Sequence, residues 1–153
     1  MNAPLAAPSI ALRRAVADDL PVVMALLAEL APDEAPLPPE RAREIFARIQ
    51  AMPRMAVWLC ERDGAVVGTY SMLVMENLGH RGAPLAIVEC VVVTAAARGG
   101  RLGEAMMRHA MARAAEAGCY KLALSSNNRR VDAHRFYRRL GFAPHGLSFA
   151  IAP

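Results

Sequence analysis

The most chemically suggestive stretch of the sequence is a glycine-rich turn between a predicted strand and a predicted helix. Residues 98–103 read RGGRLG and follow the apolar run IVECVVV. Glycines let the backbone curl with its N–H groups exposed, and the N-terminus of a helix adds the positive end of its dipole. The turn therefore predicts an anion-binding site. It lacks the Gly-Lys-Ser/Thr ending of a P-loop and the GxGxxG spacing, and a plain tight turn is the alternative.

A carboxylate interrupts the apolar run just before this turn. The two-residue period of a strand puts Glu89 on one face with Leu85, Ile87, Val91 and Val93. A partly buried carboxylate is costly unless it is paired or functional. Glu89 is therefore a candidate general base, and a structural carboxylate bonded to the backbone or to an arginine is the alternative.

The remaining chain supplies the elements that would position these groups. The hydrophobic patterns predict strands at 9–15, 54–60, 65–75, 87–93, 119–125 and 146–152, and helices at 20–30, 40–50, 101–117 and 127–140. The order β-α-α-β-β-β-α-β-α-β predicts an α/β fold with a mixed sheet and helices on both faces.

Length and composition narrow the class of protein. With 153 residues and 55% apolar content, the chain suits one domain over 1–153. No apolar run approaches the roughly 20 residues of a membrane span, and the N-terminus does not resemble a secretory signal. We therefore expect a cytoplasmic protein without a membrane partner. The net charge of +4 favours an anionic ligand. Few aromatics and no zinc-finger pattern argue against nucleic acid.

The three cysteines, Cys60, Cys90 and Cys119, are widely spaced in apolar segments. This pattern is typical of reduced core thiols and predicts neither a disulfide framework nor a metal site.

Three segments of the second half resemble one known family. The runs VVVTAAARGGRLGEAMM, GCYKLALSS and AHRFYRRLGF are similar to the GCN5-related N-acetyltransferase (GNAT) superfamily, whose acetyl-CoA signature is Arg/Gln-x-x-Gly-x-Gly/Ala. The match covers residues 84–142 and is nearest to the small-molecule branch that includes glucosamine-phosphate N-acetyltransferases. Two positions depart from the pattern. Arg101 stands at the first glycine of the signature, and Arg130 stands where many members have asparagine.

The resemblance implies a single-domain GNAT fold with a mostly antiparallel sheet. It also implies acetyl transfer from acetyl-CoA to a primary amine of a small molecule, by direct attack in a ternary complex and without a metal. In this reading Tyr137 protonates the leaving thiolate and Glu89 takes the proton of the amine; a packing role is the alternative for Tyr137. The implied cofactor-binding residues are Val91, Val93, Arg98, Gly99, Gly100, Arg101, Leu102, Gly103, Glu104, Ser126, Arg130 and Arg139.

Two other functions remain open at this point. One is a peptide or protein N-acetyltransferase, which would need an open groove across the sheet. The other is an acyl-CoA-binding module without catalysis, which the Arg101 departure leaves open. An exposed edge strand near the C-terminus also makes a homodimer a reasonable expectation.

Overall fold

The computed structural model of the chain describes residues 8–99 and 101–152. The elements follow the predicted order up to the last helix. The strands are β1 (Ile10–Arg14), β2 (Met55–Arg62), β3 (Ala65–Met75), β4 (Leu85–Val93) and β5 (Lys121–Leu124), and the helices are α1 (Leu20–Leu30), α2 (Pro39–Ala51), α3 (Leu102–Glu116) and α4 (Val131–Arg139).

The strands form one sheet in the order β1-β2-β3-β4-β5. The first three pairings are antiparallel, and β4 pairs with β5 in parallel. A connection through a helix is what a parallel pair requires, and α3 supplies it. The predicted α/β class, with a mixed and mostly antiparallel sheet, is confirmed.

Two hydrophobic clusters hold the helices to the sheet. On one face, Met106 and Ala110 of α3 pack against Tyr70, Met72 and neighbouring residues of the sheet. On the other face, Val23 of α1 and Phe46 of α2 pack with a second cluster that includes Leu59. The alternation of β2 explains this arrangement, since Leu59 and Cys60 are both fully buried and belong to opposite clusters. The prediction of helices on both faces is confirmed.

A β-bulge interrupts β4. Ser71 lies opposite Glu89, whereas Thr69 lies opposite Val92, so Cys90 and Val91 together face Tyr70 of β3. Cys90 has a φ of 55°, a left-handed value that is uncommon for a residue other than glycine. An extra residue reverses the alternation of side chains beyond it. Side chains after the bulge therefore lie on the opposite face of the sheet from the one that a regular strand would give them.

Glycines end the last two helices, as the sequence predicts. Gly118 follows α3 with φ 70°, and Gly141 follows α4 with φ 94°. The start of α4 differs from its prediction. Residues 127–130 form a turn closed by the Asn127 side chain, which accepts a hydrogen bond from the Arg129 N–H at 2.9 Å, and the helix begins at Val131. An asparagine that bonds the backbone two residues on favours a turn over a helix.

The predicted closing strand at 146–152 is wrong. Residues 143–152 form neither helix nor strand, and Leu147, Phe149 and Ile151 are 84%, 88% and 91% exposed. Their alternation with small residues is that of a strand. A strand also needs a neighbour to pair with, and within the described part of this single chain the segment has none.

The described residues include no helix that is both long enough and apolar enough to span a bilayer.

Candidate active site

The candidate site is a cleft that opens where β4 and β5 separate. The two strands pair only from Leu85–Val88 to Lys121–Leu124. Beyond these pairs lies a cavity of about 230 Å³, with Glu89 and Val91 on one side and Ser125 on the other. A second cavity of about 270 Å³ continues along β4. Leu30, Val91 and Arg130 line both cavities, which therefore adjoin.

Glu89 lines the first cavity, but its surroundings differ from those expected. Its side chain is exposed rather than partly buried. It lies opposite Ser71 on the face away from α3, whereas Val91 and Val93 pack on the α3 side. The bulge separates them, so the predicted shared face is wrong. The carboxylate is open to an incoming molecule and is not embedded in an apolar stripe.

Cys90 was expected to be a core thiol, and that prediction is also wrong. Cys60 is fully buried, but Cys90 is exposed and lines the first cavity because the bulge turns it out of the sheet. All three cysteines are free. The cavity walls around the sulfur remove part of its solvent and so raise the pKa of the Cys90 thiol, and the nearby carboxylates of Glu89 and Glu34 raise it further. Cys90 is therefore a weak nucleophile.

The backbone of β4 beyond the bulge suits an extended ligand. Since β5 pairs with β4 only as far as Val88, the edge of residues 89–93 that faces β5 has no strand partner in the described chain. Val91 and Val93 both line the second cavity. An unpaired strand edge binds extended groups through its N–H and C=O groups. The position predicted for the pantetheine arm therefore fits the geometry.

Two described residues of the glycine-rich turn have left-handed backbone conformations. Gly99 has φ 89°, and Arg101 has φ 61° and ψ 10° immediately before the first residue of α3. Leu102, which is 1% exposed, fixes the helix start in the core, and the Arg101 side chain is 83% exposed. The prediction for Gly100 lies outside the described residues. The free N–H groups of the α3 N-terminus point towards the turn, and Arg98 lines the second cavity beside it.

Gly103 has a packing reason to be glycine. A methyl group at this position would lie 3.1 Å from the Phe136 ring of α4. The missing side chain therefore lets α4 approach α3 closely and brings its residues towards the cleft.

Glu104 directs its carboxylate at neighbouring arginines. It accepts a hydrogen bond from Arg108 Nε at 2.9 Å and lies 3.5 Å from Arg101 Nε. Arg108 is the main reason that the pKa of Glu104 is lowered. The side chain is ionised and paired on the surface of α3.

Tyr137 lines the same cavity as Glu89. Phe136 and Phe142 hold its ring edge-on, with centroids at 5.2 and 5.7 Å. Burial raises the pKa of the phenol, Arg130 opposes that shift, and the Glu89 carboxylate adds to it. The phenol is protonated at neutral pH and can donate a proton.

The weaker candidates divide into two groups. Arg130 lines both cavities, and Ser126 lines the first, with a buried Oγ that has no hydrogen-bond partner among the described residues. Arg139 is exposed at the last residue of α4 and lines neither cavity. Ser126 and Arg130 thus come together with Tyr137, and Arg139 does not.

Sequence reasoning missed Glu29 and Leu30 at the end of α1. Leu30 lines both cavities and Glu29 lines the second. Leu30 continues the ordinary hydrophobic pattern of α1, and the hydrogen bonds of Glu29 are with residues more than 60 positions away. No local spacing could have indicated them.

A family model described as the acetyltransferase (GNAT) family matches residues 22–142. The chain belongs to this family. It is 34% identical to an aminoalkylphosphonate N-acetyltransferase of Salmonella typhimurium, over 95% of the chain and 92% of that protein. It is also 31% identical to a glucosamine 6-phosphate N-acetyltransferase of Trypanosoma brucei brucei, over 65% and 69%.

The fold has a matching solved structure. A crystal structure of a Trypanosoma brucei acetyltransferase superposes with a TM-score of 0.80 at 25% identity, over 95% of this chain and all of that one. The predicted resemblance and the predicted enzyme class, an acetyl-CoA-dependent N-acetyltransferase, are confirmed.

Proposed function

We propose that the protein transfers the acetyl group of acetyl-CoA to the primary amine of a small molecule that carries a phosphonate or phosphate. The observation that carries this proposal is the position of Tyr137 and Glu89 in one cavity. That cavity continues into the unpaired edge of β4 and ends near the turn at 98–103. A proton donor, a proton acceptor, an extended binding edge and an anion site thus follow one another along a single cleft.

The parts of the cleft match the parts of the cofactor. Val91 and Val93 offer backbone groups to the pantetheine arm, and the turn from Arg98 to Gly103 offers N–H groups to the diphosphate. Arg130, at the N-terminus of α4, supplies a cation where many relatives have asparagine, and Ser126 supplies a hydroxyl. Acetyl-CoA contributes an activated thioester.

The two side chains account for the protons of the reaction. The neutral amine attacks the carbonyl carbon of the thioester, so that a C–N bond forms and the C–S bond breaks. The ammonium form of the acceptor first gives a proton to Glu89, directly or through a water. The departing sulfur takes a proton from the Tyr137 phenol. The second proton that the nitrogen loses as the amide forms returns to the Tyr137 oxygen, directly or through a water, while Glu89 releases its proton to solvent. A covalent acetyl-enzyme is not needed, and Cys90 is poorly suited to form one.

The acceptor class is inferred from what two relatives have in common. Aminoalkylphosphonate and glucosamine 6-phosphate, the acceptors in the relatives' names, each combine an amine with a phosphorus oxyanion. The net charge of +4 favours such an anion.

A panel of acceptors tests the proposal. CoA release from acetyl-CoA is measured with an aminoalkylphosphonate, glucosamine 6-phosphate, and the matched amines without phosphonate or phosphate. We expect kcat/KM to be at least about tenfold higher for one charged acceptor than for its matched amine. Initial rates measured with both substrates varied should give intersecting double-reciprocal lines, the pattern of a reaction in a ternary complex. A peptide with a free N-terminus and a lysine completes the panel. Equal rates within each pair of small molecules, or turnover only with the peptide, would overturn the acceptor class.

Glu89→Gln tests the role of the carboxylate. The amide keeps the size of the side chain but cannot take a proton, so we expect kcat to fall by about 10²-fold. The Kd for acetyl-CoA should stay within a factor of two. Wild-type turnover in this variant would remove Glu89 from the mechanism.

Three further features belong to the proposal. Residues 1–153 act as one N-acetyltransferase domain, supported by the single sheet and the family match over 22–142. The enzyme is cytoplasmic, supported by its free cysteines. It is a homodimer, supported by the exposed apolar segment 147–151 together with the outer edge of β5, which is unpaired in the described chain. Sedimentation velocity would measure the last of these.

A further inference from the structure

A carboxylate outside the catalytic pair joins α1 to the chain that leads into the glycine-rich turn. Glu29 Oε1 accepts a hydrogen bond from the Thr94 hydroxyl at 2.7 Å, and Glu29 Oε2 accepts one from the Ala95 N–H at 2.8 Å. Residues 95–97 form a single 3-10 turn that connects the end of β4 to Arg98. Both oxygens of one side chain therefore grip the start of this turn.

The position of Glu29 in its own helix makes the contact informative. α1 ends at Leu30, so the carboxylate lies in the last turn, where the negative end of the helix dipole disfavours it. The bonds to Thr94 and Ala95 compensate for that repulsion. They also supply an acceptor to the first N–H of the 3-10 turn, a group that the turn itself leaves without a partner.

Glu29 is not suited to bind the cofactor directly. A carboxylate repels a diphosphate, and both of its oxygens already accept hydrogen bonds. Arg98 lines the same cavity and donates from Nε to the Val93 carbonyl at 3.3 Å. The charge of Glu29 can only oppose anion binding, so any favourable effect of this residue on an anion passes through the backbone of 94–98.

We propose that Glu29 is a positioning residue that fixes the diphosphate-binding turn relative to β4 and α1. This inference rests on the proposed function, since it assumes that CoA lies along β4 and places its diphosphate at 98–103.

The test compares two inhibitors. CoA carries the diphosphate, whereas pantetheine has the arm and the thiol without it. In Glu29→Ala, which removes both acceptor oxygens, we expect the Ki of CoA against acetyl-CoA to rise about tenfold and the Ki of pantetheine to stay unchanged. In Glu29→Gln, the amide oxygen can accept from the Ala95 N–H, and the amide NH2 can donate to the Thr94 hydroxyl oxygen. This variant keeps both bonds without the charge, so its Ki values should stay near those of the wild type.

Glu40→Ala is the matched control, because it removes the same charge from an exposed position on α2. Thr94→Val removes only the hydroxyl and should raise the Ki of CoA about threefold. This milder variant carries the test if Glu29→Ala does not fold.

Three results would overturn the inference. The first is an unchanged Ki of CoA in Glu29→Ala, or in Thr94→Val if Glu29→Ala does not fold. The second is an equal rise in the Ki of CoA and the Ki of pantetheine. The third is a rise in the Ki of CoA in Glu29→Gln as large as the rise in Glu29→Ala. Failure of the proposed function is recognised separately, because the wild-type protein would then turn over none of the acceptors, and the same comparison is made on the Kd values of CoA and pantetheine measured by calorimetry.

Discussion

The strand pairs β2–β3 and β4–β5 differ in how completely the fold pairs their backbones. We call them the closed side and the open side of the sheet. β2 pairs with β3 at eight positions, whereas β5 pairs with β4 at only four. The β2–β3 side carries fully buried residues such as Leu59 and Tyr70. The β2–β3 pairing has an irregularity of its own, between Cys60 and Glu61, but it continues on both sides of it, whereas the β4–β5 side carries a cleft and an unpaired edge. A ligand can bind only to backbone groups that the fold leaves unpaired. The β2–β3 pair offers few such groups, whereas β4 beyond Val88 leaves one edge unpaired in the described chain.

The polar pairs of the two sides show the same difference. On the closed side, the Tyr70 hydroxyl and His109 Nδ1 lie 2.7 Å apart and share a hydrogen bond, and Trp58 packs edge-on against the imidazole at 4.4 Å. On the open side, Tyr137 and Glu89 face a shared cavity. The first pair satisfies itself, and the second is available to a substrate. Variants on the two sides should therefore separate stability from turnover.

Tyr137→Phe should have the largest effect. Without the hydroxyl the leaving thiolate loses its proton donor, and we expect kcat to fall by about 10²-fold or more. The ring still packs between Phe136 and Phe142, so the melting temperature and the Kd for CoA should change little. Steady-state kinetics and calorimetry measure these quantities. A wild-type kcat would reduce Tyr137 to a packing residue.

Leu59→Ala should have the opposite signature. Leu59 of β2 is fully buried against α1 and α2, and its truncation should lower the free energy of unfolding by about 2–5 kcal/mol. Urea denaturation measures this loss. At a temperature where the variant is folded, its KM for acetyl-CoA should equal that of the wild type. A raised KM would contradict the separation of the two sides.

His109 should make stability depend on pH. Burial lowers the pKa of its imidazole, Arg113 lowers it further, and Glu116 opposes these shifts. The unfolded chain therefore takes up this proton before the folded protein does. The stabilisation that comes from a neutral His109 is full above about pH 6.5, the unperturbed pKa of histidine, and declines as the pH falls below that value. Melting temperatures at pH 7.5 and 5.5 should show a smaller drop in His109→Gln than in the wild type. An equal drop in both would contradict this.

Arg101→Gly should have the smallest effect. A left-handed conformation costs a residue with a Cβ about 1–2 kcal/mol, and the greater freedom of glycine in the unfolded chain offsets part of the gain. We expect the free energy of unfolding of Arg101→Gly to exceed that of the wild type by up to about 1 kcal/mol, as measured by urea denaturation. Arg101→Ala keeps the Cβ and should show no such gain. Equal stability of the two variants would mean that the turn carries no strain.

The sequence predicted the features that repeat along the chain and missed those created by a single residue. Hydrophobic periods located the strands up to β5, and Gly118 and Gly141 located the helix ends. The bulge could not be predicted, because IVECVVV alternates as a regular strand would. Its consequences, the exposed Cys90 and the separation of Glu89 from Val91 and Val93, were missed with it.

The closing strand failed for a different reason. Leu147, Phe149 and Ile151 have the pattern of a strand, but the pattern does not supply a pairing partner. Glu29 was missed because its contacts lie far away in sequence. Tyr137 was found only through the family resemblance, since no spacing in the last helix distinguishes it from a packing residue.

Hydrogen exchange with and without CoA tests the central claim most directly. If the open side is the binding cleft, saturating CoA should slow exchange of the amides at 89–93 and 98–105. The amides of the β2–β3 hairpin, at 55–75, should change little. Protection confined to the hairpin, or saturated binding with no protection at 89–93, would contradict the account.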